Sequence, residues 1–533
     1  MERSSGVLLH VSSLPSKYGI GSFGEAAYDF VDFLVETGQT YWQILPLTTT
    51  SYGDSPYSSY SAFAGNTNFI NLDLLIEEGF ITKDDVIDEY FGDNPGKVDY
   101  VRVEAARRPI LEKAVEQFVE KNGLESKDFK QFVSSNESWL ISFSQFMTVK
   151  ENNDAQPWYE WEDEFRLYDE DFIIEYCEKH EEQVNYHLVT QYWFSKQWFK
   201  LKDYANRNNI LIIGDIPIYV ARDSVEMWST PHLFLIDEDR NPMMVAGVPP
   251  DSFSDDGQYW GNPIYDWEYM EKDKYKWWVE RTKANFELYD VVRIDHFRGF
   301  ESYWAIPFGS ETAAAGMWEQ GPDVKLFNKI KEELGELNII AEDLGFITEE
   351  VIELRDQTGF PGMKILQHGF SGEDSLDLMH HYTHNTIAYV GTHDNSTALE
   401  WYLGHTTSDQ RDQVDMYLNR RSGEHPSDAL NRGVASSPSR VAIYTMQDLL
   451  RLGPEGRMNI PSTIGNNWDW RMTEEAITVD LKEKLLSWTE TYFRMNDFLT
   501  DEEDAEYFED TEKLIERTEN DTDENSIVDK KEI

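Results

Sequence analysis

"VVRIDHFRGF", Val291–Phe300, sets two kinds of residue side by side. Two valines, an isoleucine and two phenylalanines read as a buried strand, yet Arg293, Asp295, His296 and Arg298 are threaded through them. Residues i and i+2 of a strand share a face, so Arg293 and Asp295 stand next to each other on the face that also carries Val291. Burying charge is costly unless it is paired. The stretch is therefore either a structural ion pair or a carboxylate set beside a fixed cation for chemistry.

Seven more short apolar runs end in the same way, in polar residues or glycine. They are "GVLLHVSSL" (6–14), "YWQILPL" (41–47), "ILIIGDIPIYV" (210–220), "NIIAEDLG" (338–345), "GMKILQ" (362–367), "IAYVGTHDN" (387–395) and "RVAIYTMQ" (440–447). Near-continuous apolar runs suit parallel strands covered on both faces. Between several of them lie amphipathic stretches such as 24–38 and 324–336, with apolar residues at helical spacing. Eight strands with helical crossovers predict an α/β protein, a (β/α)8 TIM barrel, with a doubly wound sheet as the alternative.

The spacing is uneven. Residues 76–200 read as a mainly helical insertion, exemplified by "RRPILEKAVEQFVEKNG". Residues 230–267, rich in Gly, Pro and Asp, read as a long lid-like loop. The expected catalytic barrel spans 1–500, and 501–533 reads as an acidic, disordered tail.

Formal net charge is −53, of which the tail supplies −11, so acidity pervades the chain. Such a field repels nucleic acid and anionic membranes and suits a neutral substrate. Seventeen Trp and 28 Tyr are mostly core, but aromatic faces also suit the C–H faces of sugar rings. The single cysteine, Cys177, excludes an intrachain disulfide and a multi-cysteine metal site. No apolar run approaches the ~20 residues of a membrane span, and no signal peptide is evident, so a cytoplasmic location is expected.

In a barrel the C-terminal strand ends meet at one catalytic face. Asp215, Asp295, Glu342 with Asp343, and His393 with Asp394 end four of the runs. Carboxylates gathered there point to glycosidic chemistry, in which a retaining enzyme uses one as nucleophile and a protonated one as acid. Asp295, with the Arg293 cation beside it, suits the first role. Glu342 suits the second, because it shares a face with Ile340 and apolar surroundings raise a carboxyl pKa. Asp394 would hold sugar hydroxyls. His296, pointing away from Asp295, reads as a core residue more readily than His393. The competing reading, acids plus His393 holding a divalent cation, has no HxxxH or HxH pair beside these acids, and "HH" at 380–381 with His384 reads as a helix end or surface.

Ten blocks carry a resemblance. They include "HVSSLPSKYGIGSFG", "YGDSPYSSYSAFAGN", "GVPPDSFSDDGQYWGNP", "RIDHFRGFESYWAIP", "GTHDNST" and "GNNWDWR", in order from about residue 5 to 498. The chain resembles the 4-α-glucanotransferase (amylomaltase) family, glycoside hydrolase family 77 of the α-amylase clan. The resemblance implies Asp295 as nucleophile, Glu342 as acid/base and Asp394 as transition-state stabiliser. It places sugar contacts on Tyr57, Asp215, Asp251, Trp260, Arg293, His393 and Asn467. It also implies no cofactor and no obligatory metal, with maltooligosaccharides, glucose and other α-1,4-glucans as donors and acceptors. Two positions depart from the family pattern: Ser22 within "GSFG", where an acid is usual, and Asp255, where many relatives have Glu. Rival readings are an α-glucan hydrolase with the same acids, a catalytically dead glucan-binding protein and a divalent-metal hydrolase.

Overall fold

The computed structural model describes residues 1–51, 53–250, 256–372 and 374–496. Asp251, Asp255 and the 501–533 tail lie outside them.

Twelve strands are present among the described residues. They are β1 (Ser4–Leu8), β2 (Tyr41–Gln43), β3 (Leu211–Ile216), β4 (Met244–Val248), β5 (Gln258–Pro263) and β6 (Val291–Ile294), then β7 (Ser302–Pro307), β8 (Met317–Gln320), β9 (Ile339–Ala341), β10 (Gly362–Ile365), β11 (Thr386–Tyr389) and β12 (Val441–Thr445). Eight close into a parallel barrel, in the order β1-β12-β11-β10-β9-β6-β3-β2. These eight are the apolar runs of the sequence. The doubly wound alternative is set aside by the closure of β1 on both β2 and β12.

Strand alternation builds two apolar layers. Tyr41, Ile213, Val291, Ile340, Ile387 and Ile443 point inward and pack on one another. Trp42, Ile212, Val292 and Ala388 point outward into the larger core beneath the helices. In the helix Glu181–Arg207, Phe194, Trp198, Leu201 and Ala205 recur at three or four residues and are buried. Phe23 meets Phe194 and Trp198 at ring separations of 5.3 and 5.2 Å. Asp99 caps the helix Tyr100–Glu120 by accepting from the Arg102 N–H, satisfying a donor that the helix itself cannot.

Helices occupy most of the interval between β2 and β3. The segment 230–267 differs from the irregular loop expected of its composition: it supplies β4 and β5 to an antiparallel sheet of order β5-β4-β7-β8. Its Gly, Pro and Asp concentrate around the connection, while Val245 and Ala246 are buried. Among the described residues, no helix is long and apolar enough to cross a membrane.

Candidate active site

The inward row of each barrel strand turns from apolar to charged toward the C-terminal end. Ile213 is followed two residues on by Asp215, Val291 by Arg293 and Asp295, and Ile340 by Glu342. The parallel register sets Asp215 directly beside Arg293. Arg293 Nη1 donates to Asp215 Oδ2 at 2.6 Å and to Asp295 Oδ1 at 2.9 Å. One guanidinium thus joins two carboxylates. The Asp215 side chain has no exposed surface, whereas that of Asp295 is 30% exposed and faces the cleft.

Burial pushes Asp215 up to about 6, against the pull of Arg293. Tyr57 Oη donates to its Oδ2 at 2.8 Å. The Tyr57 ring in turn stacks on His393, with centroids 5.2 Å apart and planes 16° off parallel. Through these contacts Asp215 orients the Arg293 fork and the Tyr57–His393 stack together.

Immediately after Asp295 the chain turns sharply, with His296 at φ 50° in the left-handed region that disfavours a side chain. The turn aims the His296 N–H at Glu342 Oε2, 2.8 Å away. Glu342 is held further by its own backbone, which donates to Ile294 O and accepts from the Phe297 N–H. Burial raises the Glu342 carboxyl well above the ordinary glutamate range. Asp295 repels its charge as well, and Arg293 and the His296 N–H only partly offset both. Adjoining Asp343 is bound differently: it accepts from Arg355 and from the Met363 N–H, at 2.7 Å each, which ties β9 to β10.

Asp394 faces the cleft from the far side. Burial alone would raise its carboxyl. His393 Nε2 at 3.3 Å and Asn459 Nδ2 at 2.6 Å outweigh burial and hold the carboxyl well below the ordinary range. Burial lowers His296 to about 4, so its ring is neutral, and it packs edge-on to Trp260 at 4.8 Å.

Beside these groups lies a cleft of about 730 Å³, with walls drawn from Ser51 and 53–58, from 217–223, from 257–262 and from the stretch that begins at Asn459 and ends at Trp468. Of the residues expected from sequence, Asp295, Asp394, Tyr57 and Trp260 line it. Asp215, Arg293 and His393 support those residues from behind, and Glu342 sits behind the Asp295 turn. Asp251 lies outside the described residues. Asn467 is not among the lining residues: its amide accepts from the Ile460 N–H and donates to Thr463, closing the loop that forms one wall. Asn459, Tyr219 and Trp468 line the cleft without having been singled out from sequence. Asn459 lies 65 residues from the aspartate it bonds, so no local pattern marks it. Among the described residues, no three His, Cys, Asp or Glu side chains are placed to hold a metal ion.

Comparison with known proteins agrees with this geometry. The model of glycoside hydrolase family 77, described as 4-alpha-glucanotransferase, matches residues 9–478. A 4-alpha-glucanotransferase of Streptococcus pneumoniae is 56% identical over 502 residues, which cover 94% of this chain and 99% of that protein. One from Clostridium butyricum is 47% identical over 488 residues, covering 91% and 100%. Among solved structures, an amylomaltase from Streptococcus agalactiae in complex with acarbose matches with a TM-score of 0.91 at 48% identity, covering 93% of this chain and 100% of that one. A closed barrel with carboxylates at its strand ends, and a family match over most of its length, establish that this chain belongs to glycoside hydrolase family 77, the 4-alpha-glucanotransferases.

Proposed function

We propose that the chain moves a segment of an α-1,4-glucan onto the 4-hydroxyl of glucose or another α-1,4-glucan, by double displacement through Asp295. The observation that carries this reading is the unequal setting of two carboxyls on adjacent barrel strands. Asp295 is ion-paired, partly exposed and in the cleft. Burial raises the Glu342 carboxyl well above the ordinary glutamate range, which favours its protonated form. Retention requires that pair of roles.

In the first half-reaction Glu342 gives its proton to the glycosidic oxygen as Asp295 attacks the anomeric carbon. The bond to the leaving glucan breaks, and a β-glycosyl ester to Asp295 forms. With Oε2 engaged by the His296 N–H, the proton sits on Oε1. In the second half-reaction the acceptor 4-hydroxyl attacks that ester and its proton returns to Glu342. The new bond is α, like the old one, so no activated sugar is consumed. Asp394, ionised and fixed by His393 and Asn459, accepts from sugar hydroxyls and favours the distorted ring. Arg293 anchors the nucleophile, and Tyr57 and Trp260 offer aromatic faces to pyranose rings.

Transfer prevails over hydrolysis when a sugar, rather than water, reaches the ester. The walls at 257–262 and 459–468 narrow access to Asp295 and supply acceptor contacts. The substrates are maltooligosaccharides and glucose, and the expected compartment is the cytoplasm.

The test is incubation of wild type and Asp295→Asn with maltotriose, resolving products by chain length while counting reducing ends. Glucose plus a ladder of longer maltodextrins, at constant reducing ends, is expected from wild type. The mutant should lose at least ~10³-fold in rate, the scale at which removing a covalent nucleophile acts. Rising reducing ends without longer products would make the protein a hydrolase. Binding without turnover would make it a glucan-binding protein.

A further inference from the structure

The antiparallel sheet beside the barrel carries a row of aromatic side chains, of which only Tyr259, in the cleft wall, enters the reaction above. Residues directly opposite in antiparallel strands share a face. Tyr259 of β5 pairs with Gly247 of β4, Gly247 with Trp304 of β7, and Trp304 with Trp318 of β8. The row crosses all four strands on one face. Tyr303, Ala305 and Ala246 alternate with it and belong to the main core, so the aromatic row lies on the outer face.

Half of that face is closed, because Val245 and Ile306 are buried with Ala313. The other half is open: Tyr259 is 38% exposed, Trp318 39% and Phe346 65%. Phe346 extends the row beyond the sheet, with its ring 6.3 Å from that of Trp318 and 22° off parallel. Gly247 puts no side chain of its own between Tyr259 and Trp304, and Ile306 Cδ1 fills that place, 2.4 Å from where a Cβ would stand. A Cβ there would meet Gln258 O at 2.2 Å.

Both ends of this row are tied to the site. Tyr259 lines the catalytic cleft. At the far end, Arg298 lies 4.0 Å over the Trp318 ring and donates to Phe346 O at 2.8 Å and to Ser302 Oγ at 2.9 Å. Arg298 follows Asp295 by three residues and Phe346 follows Glu342 by four, so the platform is anchored on both catalytic strand ends.

We infer that Tyr259, Trp304, Trp318 and Phe346 form an outlying track that binds a long α-1,4-glucan beyond the cleft. This rests on the transferase reading above. The occupant is argued from continuity with the cleft and from chemistry. Flat aromatic faces beside polar groups suit the alternating C–H and hydroxyl surfaces of a neutral glucan. The surrounding acidity disfavours a polyanion. Three strand spacings separate β5 from β8, about 14 Å at ~4.8 Å each. A chain that reaches Trp318 from the cleft therefore needs several sugars more than maltotriose holds.

The experiment is a length comparison. Wild type, the double variant Trp318→Ala/Phe346→Ala and the conservative double variant Trp318→Tyr/Phe346→Tyr are assayed with maltotriose and with soluble amylose. The ratio of kcat/KM for amylose to that for maltotriose is expected to fall about tenfold in the alanine variant, the scale of one or two aromatic contacts. The loss should appear in KM for amylose, and the tyrosine variant should recover most of it. An unchanged ratio overturns the track. Equal losses on both substrates also overturn it, because they mark a structural effect on the Glu342 loop. A changed sedimentation coefficient with an unchanged ratio makes the patch a contact between copies of the chain and overturns it too. Wild type that builds no ladder from either substrate sinks the transferase reading itself.

Discussion

In the proposed double displacement, Glu342 carries the proton on which the first half-reaction depends. Burial, with Asp295 adding repulsion, raises its carboxyl well above the ordinary glutamate range, so it stays protonated where an exposed glutamate is ionised. The rate should therefore fall as pH rises through this raised value, and the alkaline limb of kcat/KM should report it. In Glu342→Gln that limb should vanish and kcat should fall by ~10²–10⁴-fold. The same shift has a stability consequence. A carboxyl raised in the folded state binds more protons folded than unfolded, so its contribution to stability declines as pH climbs from the unfolded value to the folded one. Glu342→Gln removes that decline, so its Tm should exceed that of wild type at pH 8 and converge with it at pH 4. An alkaline limb that persists in the variant would assign the proton elsewhere. At this scale much was legible: the i, i+2 rule pairs Arg293 with Asp295, and Ile340 beside Glu342 signals the apolar setting that raises it. The Asp215–Arg293 bond was not legible, because it depends on the register between β3 and β6, and register is fixed by the closed barrel rather than by either strand.

The loop 459–468 shows how an element, rather than one residue, sets the state of Asp394. Asn467 closes the loop through Ile460 and Thr463, and the closed loop presents Asn459 to Asp394. The Asn459 N–H also donates to His393 O at 3.1 Å, which ties the loop to the segment that follows β11. Asn459→Ala should free the Asp394 carboxylate while leaving Asp295 and Glu342 in place. We expect kcat to fall ~10-fold or more with KM changed less than about threefold, the signature of a contact that matters chiefly in the transition state. A rise in KM at constant kcat would instead make Asn459 a ground-state sugar contact. Elements differed in how far sequence reveals them. The eight barrel strands were readable because burial on both faces makes each a nearly unbroken apolar run. Strands β4 and β5 were not, because one face of their sheet is partly open and Gly and Pro interrupt them. Composition there resembles a loop, and only pairing with β7 makes it a sheet.

For the whole molecule, the barrel is complete before the tail begins. Asn496 Nδ2 donates to Gln39 O and Asn209 O at 3.2 and 2.8 Å, which ties the last described residue back to the segments just before β2 and β3. Arg494 binds Ser4 O and Ser439 O, joining β1 to the approach of β12. Residues 501–533 contribute −11 of a total −53, so removing them leaves most of the self-repulsion in place. A chain ending at residue 500 should therefore keep kcat/KM on maltotriose within about twofold of the full chain, an effect no larger than ~0.4 kcal/mol. Both forms should gain stability with salt, because like charges spread over one surface repel and added ions shorten the reach of that repulsion to ~10 Å at 0.1 M. Raising NaCl from 10 mM to 0.5 M should lift Tm by several degrees in the full chain and by nearly as much in the shortened one. If the shortened chain lost the salt response, the repulsion would be concentrated in the tail rather than spread over the barrel. If it lost activity, residues 501–533 would belong to the catalytic unit, and the neutral-substrate argument would have to include their charge.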